Sequence, residues 1–305
     1  MKHWTKEEDI LLVSLLGKTS FEEMAKWFEN RSATSLRNHA AKKLKLGNSY
    51  AYRKHTKNEP FWENPNPLNC YWAGFLAADG YICEKQGHEA VKVALSIKDE
   101  KHLKKFKEDC GYTGIISKRQ SRFSNQEHRP YTTLVSLQIN ACKKWVADMK
   151  SNFNLCQCKS KILQGPNLSD DYLKLCFLIG YIDGDGCVSW DKYKKQPTIR
   201  FVSSSHTIIE WVKDIVDKNF NVSIIKTPKS FNIKRKLTMS TLAVSGLRAA
   251  KLFDALSAID VPKLDRKWKN PEFLAELALY KQRFPSFFIN SEKSQLIPDN
   301  LLEKV

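Results

Sequence analysis

One nine-residue motif occurs twice in this chain of 305 residues. Residues 72–80 read Trp-Ala-Gly-Phe-Leu-Ala-Ala-Asp-Gly, and residues 178–186 read Leu-Ile-Gly-Tyr-Ile-Asp-Gly-Asp-Gly. Gly74 thus corresponds to Gly180 and Asp79 to Asp185, each pair 106 positions apart. The segments downstream of the motif repeat too. The first copy precedes strand-like runs at 81–85 and 91–97, a helical stretch at 99–110, strands at 114–118 and 132–139, and a helix at 141–149. The second precedes strands at 187–193 and 198–203, a helix at 208–216, strands at 222–227 and 237–244, and a helix at 247–256. A duplicated order of this kind predicts an α+β fold of two pseudo-symmetric αββαββα units.

The motif has a physical logic of its own. Gly74 and Ala78, like Gly180 and Gly184, lie four apart and share one helix face, where small residues let two helices approach backbone to backbone. Gly80 and Gly186 fall where a helix end is expected to need a left-handed residue. Asp79 and Asp185 then sit at two adjacent helix C-termini, where the helix dipole and the opposite carboxylate both disfavour an anion. Paired acids in such a place point to a hard divalent cation bound through oxygen.

Ahead of the repeat, residues 1–46 carry three short helical signals. Thr5-Lys-Glu-Glu8 and Ser20-Phe-Glu-Glu23 are capping boxes, the first opening a helix with Ile10, Leu11, Leu15 and Leu16 as its apolar residues. The second opens a short helix through Met24, Trp27 and Phe28, and Ser32 caps a third whose exposed face holds Arg37, Asn38, Lys42, Lys43 and Lys45. Three helices with a basic last one form a helix-turn-helix pattern, in which the last helix reads the groove. Residues 47–67 turn to Gly, Asn, Pro and charge and are read as a linker. Residues 68–165 and 166–288 are the two repeat units, and 289–305 form a polar tail.

Charge names the partner class. The chain holds 50 Lys and Arg against 33 Asp and Glu, a net charge of +17, which favours a polyanion and nucleic acid first. Both the first 58 residues and the remainder are basic, so both are expected to touch it. At 42% hydrophobic residues the chain fills ordinary cores, which excludes global disorder. It has no apolar run of about 18 residues for a membrane span. The eight cysteines form no C-x-x-C pair and read mostly as small buried thiols in a cytoplasmic protein, with a bacterial or phage-host cytosol expected.

The two nonapeptides resemble the LAGLIDADG motifs of single-chain homing endonucleases, over residues from about 68 to 285. The first copy departs at Trp72 and Ala77, whereas the second keeps both acids, Asp183 and Asp185. Residues 1–46 resemble a Myb/SANT-like or homeodomain-like module, with Trp4-Thr-Lys-Glu-Glu-Asp9 and Trp27 as the matching residues. The first resemblance implies a monomer with a β-saddle along duplex DNA. It also implies a Mg2+-dependent double-strand break with short 3′ overhangs, as in intron homing. Its implied catalytic residues are Asp79, Asp185 and one basic residue per half, Lys159 and Lys263, with Lys161 and Lys267 fitting alternative alignments. Its implied metal positions are Asp79, Asp185, Ala78 and Gly184. On the strands, Lys92, Lys118, Arg119, Arg122, Arg200, Lys226, Lys229 and Arg235 are the expected DNA contacts, some to phosphates and a few to bases. Two other functions fit the same sequence: an intron RNA maturase, and a DNA-binding regulator without cleavage.

Overall fold

Thr5 accepts a hydrogen bond from the Glu8 amide while the Glu8 carboxylate accepts from the Thr5 amide, and this reciprocal cap starts α1 (Lys6–Leu15). Ser20 caps α2 (Phe21–Met24) and Ser32 caps α3 (Ala33–Lys42). The computed structural model describes residues 3–46, 55–121, 132–220, 225–232 and 237–288. The chain divides into two compact units, Met1–Lys57 with Tyr112–Gly114 and Asn58–Gly111 with Ile115–Val305.

The core of the first unit is Leu12, Leu16, Met24, Phe28, Leu36 and Ala40. It departs from the expected apolar face: Ile10 and Trp27 are exposed, at 70% and 53%. The reason at Trp27 is local. After Met24 the chain tightens into a 3-10 turn, Ala25–Trp27, which carries Phe28 inward in place of the tryptophan. Trp4 instead stacks on His39 at 3.7 Å, with the Arg31 guanidinium 4.2 Å from its ring.

The expected linker ends earlier than its composition suggests. Phe61 and Trp62 are buried, and Trp62 packs edge-on against Trp145 and Phe153. The Trp145 indole donates to the Asn58 carbonyl at 2.9 Å, so the chain is already packed at Asn58. Pro and Asn there shape a packed turn; they do not mark a free tether.

The rest of the chain forms two halves with one element order. The first runs α4 (Pro67–Asp79), β1 (Gly80–Cys83), β2 (Ala90–Ser96), α5 (Glu100–Asp109), β3 (Ser117–Ser121), β4 (Thr132–Asn140) and α6 (Lys143–Phe153). The second runs α7 (Asp171–Asp185), β5 (Cys187–Asp191), β6 (Gln196–Ser203), α8 (His206–Phe220), β7 (Ile225–Asn232), β8 (Leu237–Ser245) and α9 (Leu247–Ala258). Short α10 (Asp265–Trp268) and α11 (Pro271–Gln282) close the described chain. The fold is α+β, and each half has one antiparallel sheet, in the orders β1-β2-β4-β3 and β5-β6-β8-β7. Asn66 with Asn69 caps α4, and Asp170 caps α7. Both helices are apolar nearly all round and buried, as a central helix must be.

Strand parity separates two faces. Val91, Val93, Leu95, Val135, Leu137 and Ile139 turn to the helices and are buried. Tyr81, Lys92 and Gln138 form one cross-strand row on the opposite, wet face, and Arg200 occupies the matching row between Cys187 and Ala243. Four of the eight cysteines, Cys70, Cys110, Cys142 and Cys176, are buried, whereas Cys158 and Cys187 are exposed because a left-handed turn and strand parity aim them outward.

Candidate active site

The two motif helices meet through their glycines. A Cβ on Gly74 would lie 2.9 Å from the Tyr181 nitrogen and nearer still to the Phe177 carbonyl. One on Gly180 would lie 2.8 Å from the Phe75 nitrogen and nearer still to the Tyr71 carbonyl. Adding 106 converts each set of contacts into the other, so the seam is a local two-fold. No side chain fits there, because its neighbours are backbone and cannot yield. Gly184 faces Ala78 in the same seam, and a Cβ on it would lie 3.5 Å from the Asp79 carboxyl carbon.

Gly80 and Gly186 are not left-handed as expected: both have φ of −80°. Each chain turns from helix directly into strand, and a Cβ would come within 2.6 Å of Leu76 or Ile182 backbone atoms. Clearance, not handedness, selects glycine.

Asp79 and Asp185 therefore lie together at two helix ends, with their carboxylates reaching solvent. Loss of hydration raises the Asp79 carboxyl, offset by Lys267, Arg266 and Lys159. Loss of hydration and then the Asp79 charge push Asp185 up to about 6, against Lys159 and Lys267. Both acids are held at a cost that a cation would relieve.

Lys159 is the basic residue of the first half. It is buried, lies close enough to Asp185 and Asp79 to feel both, and donates to the Gly80 carbonyl. Lys161 is exposed. In the second half the structure separates the two candidate lysines. Lys263 donates to the Ser257 and Ile259 carbonyls at the end of α9 and does not reach the paired acids. Lys267 takes that place, because α10 turns it back onto the α7 terminus. Its ammonium donates to the carbonyls of Ile182 (2.6 Å), Asp183 (2.7 Å), Gly186 (2.7 Å) and Gly184 (3.2 Å). These carbonyls lie at the helix end, where a cation offsets the dipole, and that of Ile182 also accepts from the Gly186 amide. Burial lowers both lysines from their ordinary value.

The donor set fits a hard divalent cation. Both ammonium groups donate to backbone carbonyls, so the two carboxylates of the pair remain open to coordinate. Among the described residues no cluster of three or more His, Cys, Asp or Glu offers a fuller cage. Two carboxylates with substrate phosphate and water are what a small oxygen-seeking ion such as Mg2+ takes. The Ala78 and Gly184 carbonyls lie in the same helix turns, and that of Gly184 also accepts from Lys267.

The expected DNA contacts are only partly brought to the wet faces. Lys92, Arg119 and Arg200 are there, Arg119 pairing with Leu134 across the strands. Lys118 is not. It pairs with buried Val135, turns to the helical side and forms an ion pair with Glu100 at 2.9 Å. The expectation took consecutive residues as equivalent, but a strand sends them to opposite faces. Lys226 pairs with Leu242, and Lys229 falls in the register shift between Thr227 and Ser230. Arg122 and Arg235 lie outside the described residues. In the N-terminal unit Arg37, Asn38, Lys42 and Lys43 are all exposed, and Arg37 pairs with Glu22 at 3.2 Å. Sequence reading missed the β5–β6 turn, where Lys192, Lys194 and Lys195 flank a fully solvated Tyr193. The Lys-Tyr-Lys-Lys run was its signal.

Several solved structures are similar in fold. The homing endonuclease I-WcaI bound to its DNA recognition sequence is 14% identical, with a TM-score of 0.45, covering 81% of this chain and 97% of that one. The I-LtrWI LAGLIDADG homing endonuclease bound to target DNA is 13% identical, with a TM-score of 0.41 and coverage of 79% and 96%. Full-length DUF199/WhiA from Thermatoga maritima is 12% identical, with a TM-score of 0.42 and coverage of 78% and 72%. No curated protein matches the chain. By sequence, residues 173–255, which contain the second motif and the second sheet, match the family described as LAGLIDADG-like domain.

Proposed function

We propose that this chain is a site-specific DNA endonuclease that lies along duplex DNA with the wet faces of its two sheets and cuts both strands at Asp79 and Asp185. The observation that carries this reading is the pair of acids crowded at two helix ends between two basic sheet faces. A protein that only binds DNA gains nothing from holding two carboxylates there, since both repel phosphate. Lys92, Arg119 and Arg200 supply phosphate and base contacts in the groove. Arg37, Asn38, Lys42 and Lys43 of α3 extend the contact as a helix-turn-helix reader. Because one chain carries both halves of the centre, a single copy is the working unit.

Asp79 and Asp185 would hold the cation, with the Ala78 and Gly184 carbonyls as further oxygen donors. When bound, Mg2+ supplies Lewis-acid chemistry, polarising the scissile phosphate and lowering the pKa of an attacking water. Lys159 and Lys267 keep positive charge where the phosphate gains negative charge. The product is a double-strand break with short 3′ overhangs. The test is a cleavage selection on a randomised duplex library with magnesium. Recovery of one consensus with mapped ends on both strands supports the reading. Binding enrichment with no cut molecules contradicts it.

A further inference from the structure

Asp183 stands where the first motif has Ala77, so the two halves of the centre differ at their sixth position. Its carboxylate is fully buried and accepts three hydrogen bonds: from the Tyr71 hydroxyl of α4 at 2.7 Å, the Leu264 amide at 2.8 Å and the Trp268 indole at 2.6 Å. Two of those donors flank Lys267 in sequence, one on either side. Lys267 in turn donates to carbonyls on both sides of residue 183. The acid and the lysine close a clamp on one another through the four-residue α10. Trp268 is further seated by stacking on Phe253 at 5.4 Å.

We propose that Asp183 is the positioning residue for Lys267, and that Ala77 leaves Lys159 without an equivalent, so the two half-sites are preassembled to different degrees. Burying a carboxylate is costly, and alanine fills the same position in α4 without that cost. An acid at 183 therefore needs a task beyond filling space, and the donors it collects name that task. In the first half, Lys159 follows Cys158, a non-glycine residue at φ 58°, and its ammonium donates to the carbonyl of Gly80. The clamp stands on this geometry alone. Its consequence for cleavage rests on the nuclease reading: the strand served by the Lys267 half is cut faster.

The test uses two variants of the full chain. Trp268→Phe removes one donor and keeps an aromatic side chain, though a smaller one; Asp183→Asn keeps the shape and removes an acceptor. Lysine acylation by an N-hydroxysuccinimide acetate, followed by peptide mass spectrometry, reads each ammonium without needing DNA. Lys267 is expected to react slowly in the parent chain. In either variant it should react about tenfold faster, the effect of losing a hydrogen bond to a charged group, with Lys159 unchanged. An unchanged Lys267, or a parallel rise at Lys159, overturns the clamp. Strand-resolved cleavage of the selected duplex with magnesium is the second arm. Unequal strand rates, with Trp268→Phe slowing only the faster strand, support the asymmetry, and equal rates overturn it. No cleavage by the parent chain counts against the nuclease reading, while the acylation result still decides the clamp.

Discussion

Asp185 shows the cost of crowding a carboxylate against a second one. Its carboxyl is raised from 3.8 to about 6 by burial and by Asp79. The folded state therefore holds the proton more tightly than the unfolded chain, so without a cation this residue's contribution to stability falls as pH rises from about 4 through 6. In chelator, Asp185→Asn should melt higher than the parent at pH 8, and the difference should vanish near pH 4. Melting curves at both pH values check this; a lower melting point for Asp185→Asn at pH 8 would contradict it. On the proposed reading, magnesium competes with the same proton. Its affinity should rise about fivefold from pH 5 to 6 and only about twofold from 6 to 8. Strand parity yields a second prediction at this scale. Arg119→Ala should lower the slope of log affinity against log salt by about one, while Lys118→Ala, facing Glu100, should leave it unchanged. Titrations at several salt concentrations decide between them. Parity was half legible in the sequence: alternation put Lys92 on the wet face, but nothing local distinguishes Lys118 from Arg119.

At the scale of elements, the helix seam brings the two acids together. Gly74 and Gly180 touch backbone, so an added methyl has nowhere to go. Gly74→Ala and Gly180→Ala should each destabilise the fold by about 2 kcal/mol or more, read from denaturant midpoints. A change below about 0.5 kcal/mol, ordinary for a surface site, would mean the helices are further apart. The order of the duplicated elements was readable because it occurs twice, each copy supporting the other, whereas α10 and α11 were not anticipated. The residues closing the site were less so. Lys263 lies 104 positions from Lys159 and Lys267 lies 108, each two away from the motif spacing of 106. Only the turn of α10 decides between them. Gly80 misled for a related reason: a glycine chosen for clearance and one chosen for positive φ look identical in sequence. Phe61 and Trp62 were lost inside a Pro- and Asn-rich stretch because their partners, Trp145 and Phe153, lie far along the chain.

For the whole molecule, duplication supplies a two-fold centre within one chain, with small departures at Ala77 against Asp183 and Lys92 against Arg200. The N-terminal unit adds a further basic face. Since the chain is already packed at Asn58, removing residues 1–54 leaves both sheets and both acids in place while taking away eleven Lys and Arg and six acids. That truncation should weaken DNA binding, flatten its salt dependence and shorten the footprint without moving the cut. An identical footprint at all salt concentrations would show that α3 reads no DNA. The proposed centre joins Asp79 and Asp185 in one metal-dependent cutting unit. It is tested most directly by cleavage of the selected duplex with magnesium, measured beside binding, for the parent chain, Asp79→Asn and Asp185→Asn. The expected result is a double-strand break by the parent, none by either variant, and binding in chelator no weaker for the variants. Parent-like cleavage by either variant would contradict it.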